Sequence, residues 1–304
     1  MAHTIIKGDV IANMFLGILA REVVLPRLMN SHSIADFIGD QNDTKTVKIQ
    51  TKLTARAGEF RDRTTPMVTD ELNQARVDIK LTQRPYSAVA ITDEVRDLDI
   101  TDFAAEVVQP QARAMAEFME DALVATMAGA NLPAEHDLNT PTLGTDDPVF
   151  LLTRGNTLLT KQHVPLSNRV YVMGADVMEA YLERYSDVSV VGTSSALEQA
   201  SMPPVRGVRL VQSLALPSNV AYLYHRDAFS YVSAAPSVPQ SVTTGASIAR
   251  ERLAIRWHMD YDTNNAEDRA VAMSYFGSGV TNEGGTKTDN RYDTCLRAVK
   301  FTWQ

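Results

Sequence analysis

Residues 101–129 read TDFAAEVVQPQARAMAEFMEDALVATMAG and form the clearest helix in the sequence. Its apolar residues recur at i, i+7, i+11 and i+14, and they are Val108, Met115, Met119 and Ala122. Its charged residues repeat that spacing two positions earlier, and they are Glu106, Arg113, Glu117 and Glu120. Two positions are a rotation of about 200° around a helix. The pattern therefore predicts one buried and one solvated face.

The ends of this helix also carry local signals. Thr101 or Asp102 can cap its start and Gly129 can end it, while Pro110 on the polar face predicts a kink. The predicted helix is longer than the average of about 11 to 12 residues, and we call it the spine helix. The acidic residues predicted to lie on its solvated face form the acidic spine face: Glu106, Glu117, Glu120 and Asp121.

Two stretches before the spine helix alternate with period two. In residues 44–53 the apolar side chains alternate with polar ones, and residues 75–82 repeat the alternation. Each stretch predicts a half-buried strand, and the two strands are predicted to pair antiparallel. Residues 55–74 between them are polar and too long for a tight turn. The sequence therefore predicts a long two-stranded arm with a large tip.

The arm and the segment that follows it have net charges of opposite sign. Residues 41–90 hold nine basic and six acidic residues, a net charge of +3, whereas residues 93–137 hold eleven acidic and two basic residues, a net charge of −9. One interpretation is that the basic arm and the acidic segment each face solvent and do not bind each other, since surface ion pairs are individually weak. The alternative is that the arm docks on the acidic segment of a neighbouring copy. The docking residues would be Lys48, Lys52, Arg56, Arg61 and Arg63.

An amphipathic helix is also predicted near the start of the chain. Its stripe follows i, i+3, i+4, i+7 and i+8, with Asp9 at its start and Pro26 at its end; the stripe consists of Ile11, Met14, Phe15, Ile18 and Leu19. The apolar run is shorter than the roughly 20 residues that span a bilayer, and no small-residue cleavage site follows it. No export signal or membrane anchor is expected. Beyond residue 137, helical and strand-like runs alternate and predict an α+β body.

Composition excludes several classes of protein. The chain has 304 residues, 44% of them hydrophobic, and a net charge of −8. This composition is typical of a folded globular protein and disfavours wrapping of nucleic acid over a broad basic surface. A single cysteine, Cys295, cannot form an intramolecular disulfide or a cysteine zinc site. Local basic patches are not excluded by this argument.

Catalytic signals are sparse. The best metal candidate is His258, Asp260 and Asp262, which alternate on one side of a predicted strand, although a solvated acidic strand end is the favoured interpretation. The sequence contains no phosphate-binding GxxxxGK[ST] loop and no GxSxG motif, and Cys295 has no nucleophile signature around it. We therefore predict no enzyme activity, no catalytic or metal-binding residues and no cofactor.

The order of these elements, and several short motifs, resemble the major capsid proteins of tailed bacteriophages, the HK97 fold. The motifs nearest the spine are ITDE at 91–94 and LDITDF at 98–103, which lead to Pro110; VVLP at 23–26 precedes the arm. Near the end, Asp260-Tyr261-Asp262, Asp268-Arg269 and Phe276-Gly277 are similar to that family's C-terminal strands. The resemblance covers nearly the whole chain.

The resemblance implies a division of the chain into five segments. They are an N-terminal helix and arm (1–40), an extended loop, or E-loop (41–90), the spine helix with part of a peripheral domain (91–145), an axial domain (146–247) and return strands of the peripheral domain (248–304). It also implies pentamers and hexamers that form an icosahedral head around double-stranded DNA. The expected location is the virion, after assembly in the host bacterial cytoplasm.

The implied partners are other copies of the chain, a scaffolding protein, a portal, non-specifically bound DNA and a decoration protein, with no membrane. Two alternatives stay open at this point. An encapsulin-type nanocompartment shell would share the fold and enclose cargo enzymes, and a soluble metal-dependent enzyme would use His258, Asp260 and Asp262.

Overall fold

The computed structural model describes residues 8–32, 44–49, 55–57, 69, 75–95, 102–140, 148–187, 207–242, 244–250, 252–263, 265, 267–288 and 291–303. The helices are α1 (Gly8–Glu22), α2 (Leu25–Leu28), α3 (Gln109–Ala128), α4 (Pro148–Lys161) and α5 (Ala175–Asp187). The first eight strands are β1 (Asn30–His32), β2 (Thr44–Ile49), β3 (Ala75–Gln83), β4 (Tyr86–Thr92), β5 (Asp137–Thr140), β6 (Arg169–Met173), β7 (Arg209–Gln212) and β8 (Val220–His225). The others are β9 (Phe229–Ala234), β10 (Thr244–Arg250), β11 (Leu253–Asp262), β12 (Glu267–Met273), β13 (Tyr275–Val280), β14 (Gly284–Thr288), β15 (Arg291–Thr294) and β16 (Ala298–Trp303). The predicted α+β class is confirmed.

The spine helix begins with π-helical turns at Ala104–Val108 and continues as α3. Asp102 Oδ1 accepts hydrogen bonds from the backbone N–H groups of Ala104 at 3.0 Å and Ala105 at 3.3 Å, so the predicted Asp102 cap is confirmed. Pro110 lies directly after the π-helical turns, at the start of α3, and its ring nitrogen has no N–H to donate to the preceding turn. At the other end, the Gly129 N–H donates to Ala125 O at 2.9 Å, and the helix ends there as predicted.

The spine helix is attached to a sheet by a buried amide. Gln111 is 2% exposed, and its Nε2 donates to Ala270 O at 2.9 Å and to Ser87 O at 3.3 Å. The indole Nε1 of Trp257 donates to Gln111 Oε1 at 3.4 Å, while Phe103 packs edge-on against the Trp257 ring. A buried amide with these partners fixes both the position and the rotation of the helix on β4 and β12.

The predicted arm is present at its base as an antiparallel pair. β2 and β3 pair from Thr44↔Lys80 to Ile49↔Ala75, in a sheet with the order β1-β9-β13-β3-β2. A second sheet, β10-β11-β12-β4, is antiparallel throughout and packs against α1 and α3. The arm therefore continues from the sheet that carries β9 and β13.

A third sheet has the order β5-β16-β8-β6-β7 and packs against α4. Its core holds Tyr171, Leu223 and Phe301, each with no exposed surface. The last strand departs from the expectation that residues 248–304 return to the peripheral domain, because β16 pairs with β8 and β5. Likewise β9, inside segment 146–247, pairs with β1 and β13. These pairings join residues far apart in sequence, which period-two patterns do not specify.

The N-terminal helix is present, with a rotated stripe. Ile11, Phe15 and Leu19 are buried as predicted, but Met14 is 44% exposed and Ala12 is buried in its place. The helix ends at Glu22, and Pro26 lies in the separate short helix α2, so Pro26 does not end α1 as predicted. Among the helices that the structure describes, none has the length and apolarity needed to cross a membrane.

Candidate assembly surfaces

The base of the arm is held by polar contacts as well as by strand pairing. Thr46 Oγ1 donates to Asp78 Oδ1 across the two strands at 2.7 Å. Arg291 of β15 forms a salt bridge of 2.5 Å with the same Asp78 carboxylate. The β14–β15 ribbon therefore braces the arm where it leaves the subunit.

Two of the five predicted docking residues lie within the described part of the chain. Lys48 stands in β2 opposite Arg76, and Arg56 is exposed. Lys52, Arg61 and Arg63 lie outside the described residues. The structure thus places the arm's base and one of its basic side chains, and the docking of the tip stays a prediction.

Attachment of the arm to the subunit depends on a glycine. Gly277 of β13 pairs with Leu81 of β3 on one side and Val232 of β9 on the other, next to a bulge at Phe276. A Cβ at this position would lie 2.3 Å from Lys80 O and 3.1 Å from the Leu81 Cα. Both contacts are with backbone, so only glycine allows β3 to approach this closely.

The acidic spine face lines a groove of about 650 Å³. The carboxylates of Glu117 and Asp121 are exposed in it, and Glu22 from the end of α1 joins them. Glu22 also pairs with Arg113 at 3.4 Å. Glu106 does not line this groove; it is exposed one turn after Asp102, whose backbone N–H donates to Glu106 Oε1 at 3.3 Å.

The prediction that Glu120 lies on the solvated face is wrong. Its side chain is only 8% exposed, and Oε1 accepts hydrogen bonds from the N–H groups of Val24 at 2.5 Å and Leu25 at 2.8 Å. These N–H groups belong to the start of α2, where helical donors have no partner within the helix. Glu120 therefore connects the N-terminal segment to the spine helix.

Burial raises the pKa of Glu120 above its ordinary value of 4.5, while the N–H groups of Val24 and Leu25 act in the opposite direction. A carboxyl group with a raised pKa binds its proton more tightly in the folded chain than in the unfolded chain. Its contribution to stability is therefore complete below pH 4.5 and is lost as the pH rises through the folded-state pKa.

Substitution of Glu120 by glutamine tests the direction of this pH dependence. The amide oxygen of Gln retains an acceptor for both N–H groups but cannot ionise. We expect the free energy of unfolding of Glu120→Gln, relative to wild type, to increase between pH 4.5 and pH 7.5. Urea denaturation at pH 4.5, 6.0 and 7.5 measures the difference. A constant difference across these pH values would contradict the raised pKa.

The carboxylates of the metal candidate, Asp260 and Asp262, already have a positively charged partner. Arg269 donates to Asp260 at 2.6 Å and lies 3.6 Å from Asp262, so a guanidinium already pairs with both carboxylates. His258 is 8% exposed, and its pKa is lowered by burial and then by the Arg256 charge. Within the described part of the chain, no three His, Cys, Asp or Glu side chains cluster as metal ligands. Cys295 is fully buried, and burial raises the pKa of its thiol to about 12.

Sequence reasoning missed the loop that faces the acidic spine face. Leu214, which follows β7, is 91% exposed and lines the groove together with Ser213. A single leucine in a short loop gives no periodic signal, so no pattern in the sequence could identify it. Leu214 lines the same groove as Glu117 and Asp121 and adds an apolar side chain to this acidic surface.

No family model and no curated protein matches the sequence. Solved structures do match. The capsid of cyanophage P-SCSP1u aligns with a TM-score of 0.65 and 12% identity over 93% of this chain and 88% of that chain. The capsid of Ralstonia phage GP4 aligns with a TM-score of 0.64 and 11% identity over 90% and 86%.

A virus-like particle from Pyrococcus furiosus aligns with a TM-score of 0.51 and 9% identity over 96% of this chain and 98% of that chain. These identities are low, whereas the shared topology includes nearly all of each chain. The chain therefore has the HK97-like fold of phage capsid proteins, as the resemblance in its sequence predicts.

Proposed function

We propose that this chain is a major capsid protein that assembles into pentamers and hexamers and forms an icosahedral phage head around double-stranded DNA. The observation that carries the proposal is the likeness to phage capsids over about nine tenths of both chains. Such a protein acts through subunit interfaces and needs no catalytic residue or cofactor. Its location would be the virion, after assembly in the host bacterial cytoplasm.

In this proposal residues 41–90 are the E-loop and lie across the neighbouring subunit. An isolated two-stranded ribbon is marginally stable in water, so the tip needs a surface on which to rest. The acidic spine face of a neighbour supplies complementary charge, with Glu117 and Asp121 exposed in a groove. The third sheet, with α4 and α5, would form the axial domain around the centre of each capsomer.

The partners proposed from the same fold are a scaffolding protein, a portal, packaged DNA and a decoration protein. The net charge of −8 is consistent with weak, non-specific contact between the shell and DNA. The fold is also that of the Pyrococcus virus-like particle. The fold alone therefore does not distinguish a phage head from a nanocompartment, so shell formation and shell contents need separate measurements.

Negative-stain electron microscopy of the purified chain, with sedimentation velocity, tests the proposal. We expect closed shells of uniform diameter, alone or on co-expression with a scaffolding protein. Absorbance at 260 and 280 nm, before and after nuclease treatment, reports whether the particles protect nucleic acid. Failure to form shells under both conditions would contradict the proposed function, and shells that enclose a cellular enzyme instead of nucleic acid or scaffolding protein would favour a nanocompartment.

Reversal of the arm's charge tests how the subunits contact each other. We expect Arg56→Glu, Arg61→Glu and Arg63→Glu together to reduce shell yield at least tenfold while the monomer still folds, because like charges would face the acidic spine face. Circular dichroism checks folding and electron microscopy counts shells.

Two matched variants accompany this triple reversal. Lysine at the same three positions keeps the charge and should retain shells. Glu117→Lys with Asp121→Lys, added to the triple reversal, should restore them. Normal shells from the triple reversal would rule out charge-directed docking.

A further inference from the structure

A second charged surface shares no lining residue with the groove at the acidic spine face. It is a trough in two parts along the C-terminal half of α1. The first part, of about 310 Å³, is lined by Arg27, Arg226, Arg252 and Tyr231. The second, of about 510 Å³, is lined by Arg27 and Arg250. The two parts share Arg27 and Ala20, and we call them together the arginine trough.

The arginine trough concentrates positive charge in an acidic chain. Its four arginines come from α2, from the segment between β8 and β9, from the end of β10 and from the β10–β11 turn. Among the described residues that line it, none carries a carboxylate. Glu251, between Arg250 and Arg252, lies outside the described residues. Apart from Tyr231, the rest of the described lining is small or aliphatic.

Backbone contacts hold two of these guanidinium groups in place. Arg226 Nε donates to Met29 O at 3.2 Å, and Arg27 donates to Ala20 O. Each guanidinium has five N–H donors, so one such bond orients the group without exhausting its donors. The first part of the trough is also lined by Tyr231, which is 1% exposed. Burial raises the pKa of Tyr231 to about 12, so its hydroxyl stays protonated and able to donate a hydrogen bond.

Arg252 adopts a backbone conformation that its residue type disfavours. The register Arg250↔Leu253 leaves a two-residue turn between β10 and β11, and Arg252 has φ = 71°. Glycine and asparagine are the usual residues at such a position. An unfavourable residue held in a strained turn indicates a use for its side chain. Here that side chain lines the trough together with Arg226.

We propose that the arginine trough binds phosphate groups, and that the backbone of packaged nucleic acid supplies them. The assignment of packaged nucleic acid as the source of these phosphate groups rests on the proposed function. A guanidinium group can donate two parallel hydrogen bonds to two oxygens of one phosphate group. Adjacent phosphates of a nucleic-acid backbone can then occupy the two parts of the trough. No Asn or Gln side chain among the described lining residues is available to read base edges, so binding is independent of sequence.

Fluorescence anisotropy tests the proposal with a labelled 20-base-pair DNA duplex and the unassembled full-length chain. The variant is Arg226→Gln with Arg252→Asn, because Asn tolerates a positive φ. We expect its affinity to fall about tenfold and the slope of log K against log salt to decrease by about 2, since each lost phosphate contact removes about 0.9 from the slope. The control, Arg154→Gln with Arg209→Gln, removes two exposed arginines outside the trough and should stay within twofold of wild type.

Four results would overturn the proposal. The first is equal binding by wild type and the trough variant, and the second is an equal loss in the control. The third is loss of shells with unchanged DNA binding, which would make the trough a contact with carboxylates of another copy. Inorganic phosphate should displace the duplex from wild type better than chloride at equal ionic strength; equal displacement would exclude a phosphate site. The DNA-binding and phosphate-displacement measurements use the unassembled chain, so failure of wild type to assemble would contradict the proposed function and leave the phosphate site itself untouched.

Discussion

Replacement of Gly277 by alanine is expected to displace the arm and to abolish closed shells. The new Cβ would lie 2.3 Å from Lys80 O and 3.0 Å from the Lys80 carbonyl carbon, and backbone atoms cannot rotate away as a side chain can. Either β13 separates from β3 or the sheet shifts. Overpacking of this kind costs about 1–3 kcal/mol of unfolding free energy. Its effect on assembly should be larger, because the direction of the whole arm depends on this pairing.

Gly17→Ala is the matched control for this substitution. Gly17 lies on the exposed side of α1, and a Cβ added there would have nothing within 4 Å, so alanine should leave stability unchanged or raise it by up to about 1 kcal/mol. Urea denaturation measures both variants, hydrogen exchange of residues 75–83 reports the state of β3, and electron microscopy counts shells. Full protection of β3 and normal shells in Gly277→Ala would show that the strands are not as close as the structure places them.

Replacement of Glu120 by alanine is expected to lower the free energy of unfolding by about 2–4 kcal/mol, because two N–H groups lose their acceptor in a site that water barely reaches. These are the N–H groups of Val24 and Leu25. Removal of a buried carboxylate offsets part of this cost. The N-terminal segment should then detach from the spine helix before the rest of the chain unfolds.

Glu117→Ala serves as the control for this change. Glu117 is one turn earlier on the same helix and is exposed, so its loss should change stability by no more than about 0.5 kcal/mol. Urea denaturation gives the free energies, and hydrogen exchange of residues 8–28 reports on the N-terminal segment. Equal stability of the two variants would mean that water or another group satisfies the α2 donors.

The acidic spine face illustrates where pattern reasoning succeeds and where it fails. Glu106 and Glu117 are exposed as predicted, and Met115 and Met119 are buried. Glu120 follows the same spacing as the exposed residues but lies at the edge of the apolar stripe, where α2 covers it. Helical periodicity gives the direction of a side chain. It does not reveal which other segment lies in that direction.

The arginine trough shows the same limit at a larger scale. Arg27, Arg226 and Arg252 are separated by long stretches of chain, and only the packing of α2 beside the β10–β11 turn brings them together. The combined positive charge of these arginines cannot be recognised from the net charge of the chain, which is −8. Charge counted along the sequence therefore found the basic arm and missed this second basic surface.

Local sequence was sufficient to predict the spine helix with its Asp102 cap, the β2–β3 pair and the separation of charge between arm and spine. The helix, its cap and each strand depend on residues within one or two turns or one strand length, where period and capping chemistry act directly, and strands that follow each other in the chain commonly pair. The folded structure was needed to show that β16 joins β8, that Glu120 is buried against α2 and that Gly277 meets Lys80. Those contacts join distant segments, and their free energy comes from burial and hydrogen bonds that exist only once the chain has folded.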